Sequence, residues 1–506
     1  MHLLISDVWI ALAVILLTVA VCFPVWKFYK KRKELAKAVD AFPGPRWYPL
    51  IGTSLELVMT SREERWNLIK KWYQEYPRVM RMWIGFKPMI QLSKPEHLEI
   101  IFKSHVNINK GMTYQYLMPW LGGGLITAAG EKWKEHRRLL TPAFHFKILD
   151  KYSEIFSEKA RELVEIFKEK VNAGHFDASP YFTRCALDII SETAMGVKFN
   201  SLKDPTSDYA NAIFGLCEIV AIRESNPFYA IDIIFNCSND GKRYYKYLKT
   251  IQETTYKIVS DRRKKFQKHG TEQNVDELGR KEKLTFLDIL LVNEQENKFT
   301  DKEIADEVNT FMFTGQDTTA STVMYTLLAL GNYMDIQAKV QEELDNIFNG
   351  EDRSITPQDI AEMEYLDRVI KETLRKFTFV PGVARVLDKD IVIDGQRIPA
   401  DVSLLLSLYK LHHDPDYWPD PDRFDPDRFL PDAASKRHPY AFAPFSAGSR
   451  NCIGQKFGTR NSKTILAAIL RKFKVKCLED PETLQEYTEI VLRPQNGLHL
   501  ELELRK

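Results

Sequence analysis

Apolar residues recur at three- and four-residue intervals over most of the chain, and strand-like runs are few and short. One helical pattern covers residues 299–334 behind a capping box formed by Thr300 and Glu303. A second begins at Cys452 and continues for about twenty residues. The clearest strand pattern, residues 390–406, predicts a hairpin. The pattern therefore predicts one large, mainly α-helical body with a small β portion.

The first apolar run, residues 8–26, contains no charged residue, and five basic residues follow within residues 27–33. At ~1.5 Å per residue, a helix of this length spans roughly the hydrocarbon core of a bilayer. Because the basic flank follows the run, the pattern favours an uncleaved anchor with the body in the cytosol. A cleaved signal peptide is the alternative, but it would carry its basic residues before the apolar core. The predicted division is an anchor and basic stop at 1–40, a Pro/Gly hinge at 41–52 and the main domain at 53–506.

Composition excludes several classes of function. The formal net charge is +2, so no overall basicity points to a nucleic-acid partner. The six cysteines are scattered without a CxxC pair, which argues against a zinc site and a disulfide scaffold. The polar stretch 262–283 predicts an exposed loop.

Residues 444–454, PFSAGSRNCIG, place Cys452 between glycines in a loop that also carries Arg450. A packed thiol, half of a disulfide, a nucleophile and a metal ligand are the four candidate roles. A thiol at a helix N-terminus is stabilised as a thiolate. A guanidinium so close to an apolar thiol needs an anionic partner, which argues against simple packing. A thiolate-bound metal with anionic substituents accounts for the cysteine, the arginine and the glycines together.

The helical pattern at 299–334 contains Gly315, Asp317 and Thr318, which are unusual in the middle of a buried helix. One interpretation is a kink whose hydroxyls bond back to i−4 carbonyls. The other is a gap over a ligand, with an acid and an alcohol placed to deliver protons.

Two further pairs have helical spacing. Glu372 and Arg375 are i and i+3 and can form a bidentate pair, although helices contain many such pairs. Trp133 and Arg137 are i and i+4, so an indole N–H and a guanidinium share one face that suits a carboxylate. A solvated basic helix edge is the alternative for the second pair. Arg385 follows Arg375 by ten residues.

The order of these patterns resembles the cytochrome P-450 haem-thiolate monooxygenases. Residues 445–454 match that family's signature F-x-x-G-x-R-x-C-x-G at every fixed position. The segment TGQDTT at 314–319 is similar to its oxygen-activation helix, and Glu372-x-x-Arg375 to its helix pair. Other segments look closest to family 4, whose members hydroxylate fatty acids at or near the terminal carbon, and to an insect-like member.

The resemblance implies the P-450 fold and a b-type haem with Cys452 as the axial thiolate, the metal ligand. It implies that Asp317 and Thr318 relay protons for oxygen cleavage. It gives Glu372, Arg375 and Arg428 a structural role. The other cofactor-binding residues that it implies are Phe445 and Gly454 in the proximal pocket and Trp133, Arg137, Arg385 and Arg450 at the haem propionates.

The resemblance also implies partners. Electrons would come from NADPH through a flavin-containing cytochrome P-450 reductase, with cytochrome b5 as a further partner. The substrate would be a hydrophobic small molecule, and no nucleic acid is expected. The enzyme would lie in the endoplasmic reticulum membrane on a single-pass anchor, with its catalytic domain on the cytosolic side. The basic residues expected to face the reductase are Lys132, Lys134, Arg138, Lys456 and Lys463.

Four positions depart from the family 4 pattern. Thr314 stands where family 4 usually has the glutamate that forms an ester with haem, so we expect haem without an ester link. Gln316, Lys376 and Thr378 replace common residues and weaken the assignment to the terminal carbon. Two alternative functions are a haem-thiolate isomerase or dehydratase that needs no reductase, and a non-catalytic haem-binding protein.

Overall fold

The structure is a computed structural model that describes residues 2–48, 51–85, 87–204, 208–269 and 284–505. Helices dominate it, as the apolar periodicity predicts. The described α-helices are α1 (His2–Val39), α2 (Ser54–Met59), α3 (Arg65–Glu75), α4 (Pro95–Phe102), α5 (Met118–Leu121), α6 (Gly130–Leu140), α7 (Phe146–Lys168), α8 (Ser179–Ile190), α9 (Asp208–Ser225), α10 (Asp232–Cys237), α11 (Asn239–His269), α12 (Phe286–Gln295), α13 (Asp301–Asn332), α14 (Met334–Phe348), α15 (Pro357–Glu362), α16 (Glu364–Lys376), α17 (Leu408–His412), α18 (Pro431–Ser435) and α19 (Gln455–Lys472).

The β portion is small and divided among four sheets. The described strands are β1 (Val79–Ile84), β2 (Lys87–Leu92), β3 (Phe176–Asp177), β4 (Gly382–Val386), β5 (Ile391–Ile393), β6 (Gln396–Ile398), β7 (Ser403–Ser407), β8 (Phe473–Cys477), β9 (Glu486–Thr488), β10 (Leu492–Pro494) and β11 (His499–Leu504). The sheet orders are β1-β2-β7-β4, β3-β11-β8, β9-β10 and β5-β6. Only β2 and β7 pair in parallel among these strands.

Short turns connect these elements. The described 3₁₀ and π turns are Met112–Leu117, Thr141–Phe144, Ser191–Met195, Pro227–Ala230, Pro426–Phe429 and Gly448–Arg450. The hairpin predicted at 390–406 is confirmed as β5 and β6, which turn at Asp394 and Gly395 with φ of 49° and 78°. β7 leaves that hairpin and joins the four-stranded sheet.

The long helix α13 forms the centre of the molecule and packs against α8, α16 and α19. Its predicted capping box is present, because the Thr300 side chain accepts from the Glu303 amide and the Glu303 carboxylate accepts from the Thr300 amide. Most of its side chains are buried. Gly315 lets α8 approach, since a Cβ there would lie 2.7 Å from Ile190 Cδ1. This glycine therefore serves helix packing, and α13 continues through it without a break.

The predicted anchor, residues 8–26, lies within α1, and many of its side chains lie outside the described residues. Among the residues that the structure describes, no helix is long and apolar enough to cross a membrane. α1 ends at Val39, before the predicted hinge, and Phe42 within that hinge is buried. Residues 49 and 50 of the hinge lie outside the described residues.

The prediction of an exposed loop at 262–283 is wrong for the first eight residues, because they continue α11. The Arg262 guanidinium donates to both carboxylate oxygens of buried Asp288 at 2.7 Å, and Phe266 is also buried. A charged run therefore has an inward-facing side here, which extends the helix. Residues 270–283 lie outside the described residues.

Candidate active site

The cysteine loop turns sharply before it reaches Cys452. Ser446 and Gly448 both have positive φ, 57° and 72°. A Cβ at Gly448 would lie 1.8 Å from the Phe102 carbonyl oxygen, so only glycine fits at this approach. The Cys452 amide donates to the Phe445 carbonyl at 2.9 Å and closes the loop. The backbone thus fixes where the thiol lies before any ligand binds.

The Cys452 thiol lies deep in the protein and yet keeps accessible surface. A side chain with both properties faces an internal cavity. Burial raises the pKa of the Cys452 thiol, while the backbone amide of Gly454, the Arg137 guanidinium and the amide of Gln455 oppose this rise. The last of these amides belongs to the first residue of α19, three residues after the predicted helix start. A bound metal ion would favour the thiolate form of Cys452, because a thiol that coordinates a metal loses its proton.

Arg137 has a partner that the sequence did not reveal. Its two terminal nitrogens donate to the backbone and side-chain oxygens of Asn451, each at 2.8 Å. Asn451 directly precedes Cys452, so α6 braces the cysteine loop through this guanidinium. The structure places Arg137 where its charge acts both on the Cys452 thiol and on Arg450.

Arg450 and Arg385 lie close enough for the charge of Arg385 to act on Arg450. The Arg450 guanidinium lies 4.5 Å from the ring centroid of buried Trp133 and donates to the Ala128 carbonyl at 2.5 Å. Its Nε is buried without a hydrogen-bond partner. Burial, followed by the charge of Arg385, lowers the pKa of Arg450 to about 9. Arg385 is itself 2% exposed, and burial lowers its pKa as well.

Lys110 joins these two arginines and was missed by the sequence reasoning. Its backbone forms an isolated β-bridge with Arg385, and its ammonium donates to the Tyr114 hydroxyl at 3.1 Å. Burial first, and then the charges of Arg385 and Arg450, lower the pKa of Lys110 well below its ordinary value. A single lysine before a 3₁₀ turn carries no spacing signal that could have identified it.

We call Lys110, Arg385 and Arg450 the cation cluster. None of the three has a carboxylate among the described groups that influence its pKa. Buried charges are stable only when they are paired. A cluster of unpaired cations near an accessible, deeply placed cysteine sulfur fits a group that combines a thiolate-binding metal with carboxylates. Haem, with its iron and two propionates, satisfies both requirements.

The threonine hydroxyls on α13 bond back to carbonyls four residues earlier, as the first of the two sequence interpretations predicts. Thr314 donates to the Thr310 carbonyl and Thr318 to the Thr314 carbonyl, both at 2.8 Å. Thr314 and Thr318 nevertheless keep accessible surface in a helix whose neighbouring side chains are buried. The helix therefore presents both threonines to an internal space.

Asp317 turns to a different neighbour from Thr318. Its carboxylate, 2% exposed, forms an ion pair with Arg493 on β10. The second carboxylate oxygen, Oδ2, is buried without a hydrogen-bond partner. The structure therefore does not bring the acid and the alcohol into contact. Arg493 lies 176 residues away in sequence, and no pattern identified it.

The predicted pair on α16 is formed and completely buried. Arg375 donates to both carboxylate oxygens of Glu372, at 2.7 and 2.8 Å. The Asp425 amide also donates to Glu372, at 2.8 Å, and Arg428 Nε lies 3.5 Å from it. This network ties the segment before the cysteine loop to α16, as expected for a structural role.

The predicted basic face is partly formed. Lys134, Arg138 and Lys456 are exposed. Lys132 is also exposed, and its ammonium pairs with Glu303 at 2.7 Å. Lys463 was wrongly included, because it is 7% exposed.

The Lys463 ammonium is held by Asp367 at 3.0 Å and by the carbonyl of Met363. A cavity of about 430 Å³ is lined by Lys456 and Lys463 together with Phe445 and Ser446 of the cysteine loop.

The chain is similar to known proteins over most of its length. A sequence model of the family "Cytochrome P450" matches residues 42–501. The chain is 37% identical to mouse "Cytochrome P450 4V2" over 99% of its own length and 95% of that protein. It is 36% identical to "Cytochrome P450 4c3" of Drosophila melanogaster (94% and 92% covered) and to "Cytochrome P450 4c21" of Blattella germanica (97% and 98%). A mammal and two insects match about equally, so the insect-like assignment stays a prediction. The chain belongs to the cytochrome P450 family of monooxygenases, with relatives in family 4.

Proposed function

We propose that the protein is a haem-thiolate monooxygenase that hydroxylates a fatty acid or a related lipid at or near its terminal carbon. The observation that carries the proposal is the Cys452 sulfur beside a cluster of buried, unpaired cations. The family 4 relatives support the lipid substrate. When bound, the haem supplies the activation of oxygen at its iron.

The chain's own residues would prepare the cofactor site. Cys452 would bind the iron as a thiolate, because the amides at the start of α19 and the Arg137 guanidinium favour the anion. Arg385 and Arg450 would hold the propionates, which removes the cost of their unpaired charge. Trp133 would keep Arg450 oriented by stacking.

The remaining site residues shape the cavity and supply protons. Phe445 and Gly454 would set the distance between the loop and the flat face of the cofactor. Thr318 would hold a proton donor on the distal side, and Asp317 would exchange protons with solvent. The separate partners of Thr318 and Asp317 in the structure support these two roles.

Electrons would come from NADPH through cytochrome P-450 reductase, with cytochrome b5 as a further donor. The exposed basic residues Lys134, Arg138 and Lys456 suit an acidic partner. Lys456 also lines a cavity together with Phe445 and Ser446 of the cysteine loop. A haem-thiolate isomerase or dehydratase is not favoured by the relatives.

The proposed location is the endoplasmic reticulum membrane, with the catalytic domain on its cytosolic side. The uncharged run at 8–26 and the basic residues after it support this proposal. We expect the full chain to stay with membranes in alkaline carbonate and a chain lacking residues 1–40 to be released more readily. Equal release of both would contradict the anchor.

We also propose that haem is held without an ester link. The Thr314 hydroxyl donates to the Thr310 carbonyl and is not a carboxylate that could be esterified. Acidified solvent should therefore extract all of the haem from the denatured protein. Haem that stays on the polypeptide would contradict this proposal.

The purified holoenzyme with reductase tests the function directly. Medium- and long-chain fatty acids should shift the Soret band, and NADPH should be consumed as hydroxylated acid is formed. A product that forms without NADPH would favour the isomerase or dehydratase. Binding without any product would favour a non-catalytic haem protein.

A further inference from the structure

Glu224 is a deeply placed acid that has no role in the proposed reaction. It lies next to the last residue of α9, far inside the protein, and yet it keeps accessible surface. Within the described part of the chain, no hydrogen bond or ion pair engages its carboxyl group. As for Cys452, depth combined with accessible surface means that the side chain faces an internal cavity.

The cations on either side of Glu224 bind other groups. The Arg223 guanidinium pairs with Asp232 on α10, and Arg65 on α3 donates to the Ser225 hydroxyl at 2.9 Å. Because no cation among the described residues offsets its burial, the pKa of Glu224 rises to about 8. Near neutral pH the carboxyl group therefore keeps its proton and can donate a hydrogen bond.

Tyr114 brings a second donor close to Glu224. Its hydroxyl is also deep and partly accessible. Lys110 donates to this hydroxyl at 3.1 Å, so the phenol keeps its own proton for another acceptor. Burial raises the pKa of Tyr114, the two arginines of the cation cluster oppose this rise, and Glu224 adds to it. The hydroxyl therefore lies within reach of the charges of both the cation cluster and Glu224.

The packing of one turn explains why these groups meet. The turn Met112–Leu117 contacts both α9 and β4, the strand that carries Arg385. Gly111 allows the close approach to β4, because a Cβ there would lie 2.8 Å from the Ala384 Cβ. The turn thereby brings the end of α9 near the residues that would hold the propionates.

The cation cluster has one positive charge more than haem requires. Three cations would face the two propionates, and a buried charge is stable only when it is paired. One further anion near the Tyr114 hydroxyl would complete the balance. A lipid with a carboxylate head group supplies such an anion together with an apolar chain.

We propose that Glu224 and Tyr114 bind the carboxylate of a fatty-acid substrate, so that the head group is held at the end of α9 and the opposite end of the chain reacts. This inference rests on the proposed function and deepens it by naming the residues that would select a free acid. The Glu224 carboxyl and the Tyr114 hydroxyl would each donate to one carboxylate oxygen. The two carboxyl groups would then share a single proton.

The Soret shift of the ferric holoenzyme with dodecanoic acid tests the inference. Glu224→Leu removes one charge-assisted hydrogen bond, so it should weaken the binding of dodecanoic acid roughly tenfold. Methyl dodecanoate has no carboxylate, and its binding should change by less than about twofold in the same variant. Tyr114→Phe should weaken the binding of dodecanoic acid less than Glu224→Leu does, because Lys110 can then donate in place of the phenol.

The shared proton gives a second readout that a merely structural role of Glu224 would not produce. Above about pH 8, Glu224 has to take up a proton before the acid binds, so the affinity of the wild type for dodecanoic acid should fall roughly tenfold between pH 7 and pH 9. Burial raises the pKa values of Tyr114 and Tyr116, so both phenols stay neutral over this range.

Two variants serve as matched controls for the pH profile. Glu224→Gln keeps a donor that does not titrate, so its affinity for dodecanoic acid should change by less than about twofold between pH 7 and pH 9. Glu253→Gln lies at an exposed acid on α11 that pairs with Lys249, and it should resemble the wild type at both pH values.

The outcomes separate the inference from the proposed function. Equal or tighter binding of dodecanoic acid by Glu224→Leu would overturn the inference and leave the function standing. A loss in that variant that is larger for 1-dodecanol than for dodecanoic acid would overturn the carboxylate assignment. A tenfold pH dependence that persists in Glu224→Gln would also overturn the inference. If no fatty acid shifts the Soret band of the wild type, the proposed lipid substrate is overturned, and the inference falls with it.

Discussion

Two buried acid–arginine pairs support this enzyme in different ways. Glu372 and Arg375 are three residues apart on α16, and both side chains are 0% exposed. Asp317 and Arg493 join the central helix to a C-terminal strand, and Arg493 remains 16% exposed. The first pair is a closed structural network, whereas the second is open to a polar cavity that Arg493 lines. The same pairing chemistry is therefore closed off from solvent in one place and reachable by water in the other.

Breaking the closed pair should have the largest effect on stability. Glu372→Ala would leave the Arg375 charge buried without its partner, which costs about 3–5 kcal/mol. The free energy of unfolding, measured in urea on the haem-loaded protein, checks this value. Lys371→Ala is the control, because its i,i+4 pair with Asp367 is half-exposed and should contribute only about 0.3–0.5 kcal/mol. Equal losses in the two variants would contradict the structural role.

The open pair should show a smaller but measurable coupling. In a double-mutant cycle of Asp317→Asn and Arg493→Met, we expect a coupling free energy of about 1–3 kcal/mol. Chemical unfolding of the four proteins measures it. A coupling near zero would mean that the two side chains do not form the ion pair in solution.

The partly exposed pair of Lys132 and Glu303 should contribute the least to stability of the pairs compared. Although burial opposes the shift, hydrogen bonds from Lys132 and Thr300 lower the pKa of Glu303 to about 2, from an ordinary value of 4.5. The stability gained from this group is complete above the ordinary value and is lost as the pH falls towards 2.

Lys132→Ala should therefore cost roughly 0.5 kcal/mol near neutral pH. Its difference from the wild type should narrow between pH 5 and pH 3 in thermal unfolding. A difference that grows on acidification would contradict the assigned pair.

The two pairs also show what the sequence could predict. Glu372 and Arg375 lie within one helical turn and the cysteine loop is contiguous, so both could be read from the sequence and matched to the motifs of a known family. Contacts such as Asp317–Arg493 and Lys110–Arg385 depend on how distant segments pack, and no local pattern encodes them. The same reason explains why Lys463 was placed on the surface, although α19 turns it inward to Asp367.

Helix boundaries were also predicted correctly where local residues set them and wrongly where distant contacts set them. The capping box of α13 is local and was predicted at the correct residues. The extension of α11 depends on a salt bridge between Arg262 and Asp288 on the next helix, so a charged run gave the wrong prediction there. Local chemistry is predictable from the sequence, whereas partners across the fold are not.

The most direct test of the central claim is the absorption spectrum of the reduced, carbon monoxide-bound holoenzyme. The wild type should show the long-wavelength Soret band that is typical of thiolate-bound haem. Cys452→Ser should lose that band, and Cys237→Ser, at an exposed cysteine, should keep it. A thiolate-type band that persists in Cys452→Ser would contradict the assignment of Cys452 as the iron ligand.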